Sequence, residues 1–114
     1  MAATPDWEIV IRFYAALHFI ETYFEIFDPP VPANHFQREG RLNNTLELAK
    51  IPSFCRDYRR LWDLSKQVRY DSTFKATAAH LQTARAKLSA IEVGLLSVRP
   101  ALADKVPTTH ASKP

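Results

Sequence analysis

Residues 7–27, WEIVIRFYAALHFIETYFEIF, decide the fold. Plotted at 100° per residue, Ile9, Phe13, Ala16, Leu17, Ile20, Tyr23, Phe24 and Phe27 gather into one broad apolar stripe, the mark of an amphipathic helix. A second group, Trp7, Ile11, Tyr14 and His18, falls on another side of the same cylinder, beside Glu21 and Glu25. A helix apolar on two sides is either central in its bundle or shared with a partner chain. Ala15 and Ala16 leave room for a neighbouring helix to approach closely. Upstream, Thr4 predicts an N-cap and Pro5 the first helical position, with Asp6 and Glu8 complementing the positive helix end.

The rest of the chain reads as cover for this helix. With 114 residues there is enough chain for one modest core and not for two. Only Gly40 and Gly94 are glycines, and no segment alternates like a strand with hairpin turns, so the chain reads as all-α. DPPVPA, residues 28–33, is a stiff extended link, because its prolines remove donors and clash with a helical backbone. Asn34, with Gln37 three residues on, predicts the cap of a second helix over His35 to Ala49. Gly40 and the Asn43–Asn44–Thr45 run make that helix the weakest element, prone to a break in its middle.

A third helix follows Pro52 and Ser53 to about Val68, with Phe54, Tyr58, Leu61, Trp62, Ser65 and Val68 on one face. After a turn at residues 70–73, a fourth runs from Phe74 to Val98, where Leu81, Ala84, Leu88, Ile91 and Leu95 form a buried seam. Residues 1–98 are thus expected to form one up-and-down bundle of about four helices. Residues 99–114, rich in proline, threonine and lysine, are expected to be a flexible tail with no core role.

Charge and cysteine usage narrow the function classes. The net charge of +3 divides into −4 over residues 1–30, +4 over 31–70 and +3 over the remainder. An acidic first helix followed by a basic middle argues for internal complementarity before nucleic acid. Cys55 is the only cysteine, which excludes an internal disulfide and a Cys-rich zinc site and suits a reducing compartment. The first residues lack the positive charge of a secretory leader. Glu8, Arg12, Glu21 and Glu25 interrupt the longest apolar run, so no membrane span is expected. The expectation is a cytoplasmic protein.

FYAALHFIETYF, then HFQR after the proline-rich link, then YRRLWDLSKQVRYD, resembles the small helical HEPN-type proteins, in particular their uncharacterised bacterial members. The likeness covers residues 7–71, more than half of the chain. It implies a bundle of about four helices that often forms homodimers. Some HEPN members are metal-independent ribonucleases, frequently toxins, marked by an Arg followed four to six residues later by His, late in the domain. Here no His follows Arg56, Arg59, Arg60 or Arg69 at that distance. Arg12 and His18, the candidate catalytic pair, meet the spacing, but on the first helix and about 120° apart around it.

Each candidate site has a functional and a structural reading. His18 is either a polar acid–base group in the bundle centre or a buried histidine bonded to Tyr14, Glu21 or another tyrosine. His35 and Arg38, on the first turns of the second helix, suit an anion or pair with Glu21, Glu25 or Asp28. Arg69 favours its own helix C-terminus. With Tyr58 and Tyr70 it would close a pocket holding His18, His35 and Arg38, a ligand-binding set suited to a small anion or a nucleotide phosphate.

No second carboxylate–histidine pair accompanies His18 and Glu21, so no metal is expected. A Gly-rich phosphate loop and an activated nucleophile are both missing, so no cofactor is expected. Arg56, Arg59, Arg60 and Lys66 would contact phosphates, but Asp57 and Asp63 dilute that face, and nucleic acid is the less favoured partner. The sequence therefore favours a non-enzymatic binding or interaction module, a homodimer through its first helix with room for another protein partner. The alternative is a HEPN-type ribonuclease or toxin-like enzyme acting on RNA.

Overall fold

A computed structural model describes residues 5–105 and shows an all-α globule of four main helices. Helix α1 covers Pro5–Phe27, α2 His35–Asn44, α3 Leu46–Ala49, α4 Phe54–Tyr70 and α5 Ala78–Val98, followed by a 3-10 turn at Pro100–Asp104. Helices α1, α4 and α5 pack against one another, while α2 and the single turn α3 lie against each other and α4. Among the described residues no helix is long and apolar enough to cross a membrane.

The core face of α1 is Ile9, Val10, Phe13, Ala16, Phe19, Ile20, Tyr23 and Phe24, all buried. Compared with the expected stripe it is wider, taking in Val10 on one edge and Phe19 on the other, while Leu17 and the terminal Phe27 are half-buried. Exposure settles the second apolar group. Trp7, Ile11 and Tyr14 are 60%, 45% and 48% exposed, and His18 is exposed with them. His18 stands roughly 170° around the helix from the centre of the buried face, so neither reading that placed it inside the bundle holds.

The expected second helix divides where its sequence is weakest. Asn34 caps α2 by accepting from the Gln37 backbone N–H, and Thr45 leaves the helical region with φ −80° and ψ 116°. The start of α5 falls four residues later than the periodicity indicated. Asp71 accepts from both the backbone and the hydroxyl of Thr73, closing a local turn, and Thr77 with His80 forms the capping box that opens the helix.

Gly94 lets Ile51 approach α5 closely, because a methyl there would stand 2.6 Å from Cγ2 of Ile51. The core continues past the expected boundary at residue 98. Leu102 is fully buried, and Arg99 bonds Glu47 at 3.0 Å, so the start of the supposed tail has a packing role. Thr4 and residues 106–114 lie outside the described residues.

Candidate functional site

Three elements bring a chain of polar side chains together beside the core. Arg38, buried on α2, donates from Nη2 to Glu21 Oε2 of α1 at 3.1 Å and from Nη1 to the Tyr58 hydroxyl of α4 at 3.2 Å. Its Nε is buried and finds no hydrogen-bond partner. The Tyr58 oxygen lies 3.0 Å from His35 Nδ1. With Arg38 donating to that oxygen, the Tyr58 proton finds an acceptor at Nδ1 in the Nε2–H tautomer of His35. Nε2 then faces Glu39 Oε2 at 3.5 Å, and Arg59 of α4 forks onto the same carboxylate, with its Nε at 2.8 Å.

The imidazole is also held by its faces. His35 stacks on Trp62 with ring centroids 3.4 Å apart and planes 6° from parallel, and Lys66 Nζ sits 3.5 Å from the Trp62 ring centroid. Burial pushes the His35 pKa below the ordinary histidine value, a shift the Glu39 carboxylate opposes and Arg38 reinforces. Burial likewise raises the Tyr58 phenol, while the hydrogen bond from Arg59 holds Glu39 below the usual carboxylate range. Arg38 is neutralised by Glu21, so this cluster ties α2 to α1 and α4 instead of presenting a free cation to an anion.

Arg69 and Tyr70 form a second cluster. Arg69 Nη1 donates to the Tyr14 hydroxyl at 3.0 Å, Nε donates to the Ser65 carbonyl at 3.3 Å, and the Tyr70 hydroxyl stands at 3.5 Å. The guanidinium lies over the rings of Tyr70, Tyr14 and Phe13 at 5.0, 5.6 and 5.9 Å. Among the described residues it has no carboxylate partner. The Phe13 ring, 6.1 Å from that of Tyr58, separates the two clusters.

Of the six residues expected to share one pocket, His35, Arg38 and Tyr58 meet, Arg69 and Tyr70 meet elsewhere, and His18 joins neither. The candidate catalytic pair is also apart. Arg12 binds Glu8 at 2.8 Å, a carboxylate that Arg85 of α5 reaches at 2.8 Å, whereas His18 points the other way. A surface depression of about 430 Å³ on α4 is lined by Arg60, Asp63, Lys66, Gln67, Tyr70 and Asp71, and so takes only Tyr70 from the expected set. Among the described residues no group of three or more His, Cys, Asp or Glu side chains could hold a metal ion.

Glu39, Trp62 and Tyr14 were not foreseen as site residues. The His35–Glu39 pair has a sequence signal, since i and i+4 share a helix face. The Trp62 stack has none, because it joins residues 27 apart in the chain. Comparison of the chain with protein families, curated proteins and solved structures finds no match.

Proposed function

We propose that this chain is a HEPN-like helical module with no catalytic role, whose work is association through the outer face of α1 with a second copy of itself. The observation that carries the reading is the position of Trp7, Ile11, Tyr14 and His18. They repeat at steps of four, three and four along a 23-residue helix, directly opposite its buried face. That spacing is the seam of a helix–helix contact, and large apolar residues arranged along a seam make a surface that water disfavours.

Two features suit the face to its own copy. Most charge on its flanks is compensated within the chain, Glu8 by Arg12 and Arg85 and Glu21 by Arg38, while Glu25 on the face and Arg69 at its edge carry opposite signs. Arg69, Tyr14 and Tyr70 add at its edge the residue types that dominate binding energy at interfaces. Sedimentation equilibrium over the micromolar range is expected to show a reversible dimer that Trp7→Asp with Ile11→Asp converts to a folded monomer. A native chain that stays monomeric throughout the range would refute the reading.

The ribonuclease alternative rests on Arg12 and His18, and the engagement of Arg12 with Glu8 gives it no support. Cleavage of total RNA by the purified chain, lost on His18→Ala, would restore it.

A further inference from the structure

We infer that His35 pins an acid-released latch. When Nδ1 takes up a proton from solvent, α2 and α3 undock from α1 and α4 while α1, α4 and α5 stay packed. This inference is independent of self-association through α1.

The latch follows from how little apolar surface holds the segment down. The buried residues of α2 are Arg38 and Leu42, and the only one on α3 is Leu48. Polar contacts do the rest. Arg38 joins Glu21 and Tyr58, Glu39 joins Arg59, and Arg41 binds Asp28 at 3.1 Å and the Pro30 carbonyl at 2.8 Å. Glu47 of α3 accepts from the Tyr23 hydroxyl at 2.7 Å and from Arg99 at 3.0 Å. His35 is the group that ties the segment to both the Tyr58 hydroxyl and the Trp62 ring. Helices α1, α4 and α5 instead share Ile9, Phe13, Ile20, Leu61, Leu64, Leu88 and Ile91, all buried.

Protonation turns the acceptor at Nδ1 into a donor. The Tyr58 oxygen then faces two donors, Arg38 Nη1 and His35 Nδ1, and its own proton loses its acceptor at a fully buried position. A buried hydroxyl without an acceptor is costly. The electrostatics point the same way. Facing the imidazole are Arg38 and Glu39 on its own helix, Arg59, Lys66 and the neutral Tyr58 on α4, and Glu21 of α1 beyond Arg38. Lys66 is paired with Asp63, so three carboxylates already serve three cations, and a charged imidazole would be a fourth with no carboxylate of its own.

In the undocked state the ring is hydrated and binds its proton at the ordinary value, about 6.5. The open form therefore takes up the proton more readily than the docked form, and acid shifts the population towards it. The sign follows from a docked pKa below the open one. Docking is at full strength above the open value and weakens as pH falls through the docked one. Across that window each pH unit raises the open fraction by up to about tenfold.

Hydrogen exchange resolved by residue tests the latch. Between pH 7.5 and pH 5, protection of the α2 amides is expected to fall while α4 and α5 keep theirs. His35→Gln retains an acceptor for Tyr58 and a donor for Glu39 but cannot ionise, and its α2 protection should not change with pH. His80, whose Nδ1 accepts from the Thr77 backbone N–H, is intact in both proteins. Should His35→Gln fold poorly, Tyr58→Phe serves in its place. It removes the stranded hydroxyl, so the His35 midpoint read by histidine NMR should rise towards the ordinary value and the α2 step should shrink. The inference is overturned if α2 follows the same pH course in His35→Gln as in the native chain, if Tyr58→Phe leaves midpoint and step unmoved, or if α2 opens only with the whole fold.

Discussion

The two glycines make opposite predictions for one substitution. Both lie inside helices, Gly40 in α2 and Gly94 in α5, and neither has a positive φ, so alanine fits the backbone at each and gains about 1 kcal/mol of helix propensity. At Gly40 the new methyl meets nothing within 4 Å. At Gly94 it stands 2.6 Å from Ile51 Cγ2, with Ile51 Cδ1 at 3.6 Å and Phe54 Cδ1 at 3.7 Å behind. Carbon atoms rest at about 3.5–4.0 Å, so Ile51 must retreat by about 1 Å. It is 9% exposed and packed in the core, so its retreat disturbs its neighbours there. Overpacking of this kind costs about 1–3 kcal/mol.

Set against the propensity gain, Gly94→Ala is expected to lose about 1 kcal/mol, near 5 °C in Tm, while Gly40→Ala gains about as much. Urea unfolding followed by circular dichroism measures both. The mechanism has its own signature in a double-mutant cycle. Ile51→Ala should cost about 1 kcal/mol less in the Gly94→Ala background than in the native chain, because the new methyl occupies the space it vacates. A Gly94→Ala chain as stable as the native one, or additive effects of the two substitutions, would refute the reasoning.

Other substitutions test the remaining structural claims. Ser65 is fully buried with a hydroxyl that has no partner, so Ser65→Ala should raise stability by about 1 kcal/mol in the same urea assay. Leu102→Ala should lower it by about 2–5 kcal/mol, whereas a residue in a tail without a core role would leave it unchanged. Glu21→Gln removes the counter-charge of buried Arg38, and its cost should exceed that of Glu21→Gln in an Arg38→Met background. Burial raises the Cys55 thiol pKa, so the folded chain should react with a disulfide reagent near neutral pH more slowly than the urea-unfolded chain.

The sequence reading succeeded where local chemistry decides. The Asn34 cap, the break near Thr45 and the extended prolines each follow from residues within a few positions of one another. It failed by small angles and by distance. Val10 and Phe19 are as apolar as the residues chosen for the α1 stripe, and only the positions of α4 and α5 decide that they face inward. Leu102 was lost in a compositional argument. Proline, threonine and lysine dominate residues 99–114, yet one leucine in a 3-10 turn is enough to extend the core.

The site was partly legible for the same reason. His35 and Arg38 were expected either to bind an anion or to pair with the acidic first helix, and Glu21 takes Arg38. Nothing local announces that Tyr58 stands between them or that Trp62 stacks on His35.

The position of the buried α1 face decides more than which residues are covered. Read from sequence, a helix apolar on two sides is either central or shared. Because its core face is centred opposite His18, α1 lies at the side of the globule, with Arg12 and Glu8 turned to Arg85 of α5 and Glu21 and Tyr14 turned to Arg38 of α2 and Arg69 of α4. Both flanks are occupied and the face between them is open. Centrality therefore cannot explain Trp7, Ile11 and Tyr14. Solubility alone would favour polar side chains along this face, and a row of large apolar residues on one exposed helix face is the surface a partner helix covers. Replacing Trp7 and Ile11 with aspartate should accordingly leave thermal stability at high dilution nearly unchanged. It should remove the concentration dependence of the native Tm, which mass action requires of any self-associating fold. A native Tm that is independent of concentration would refute self-association through this face.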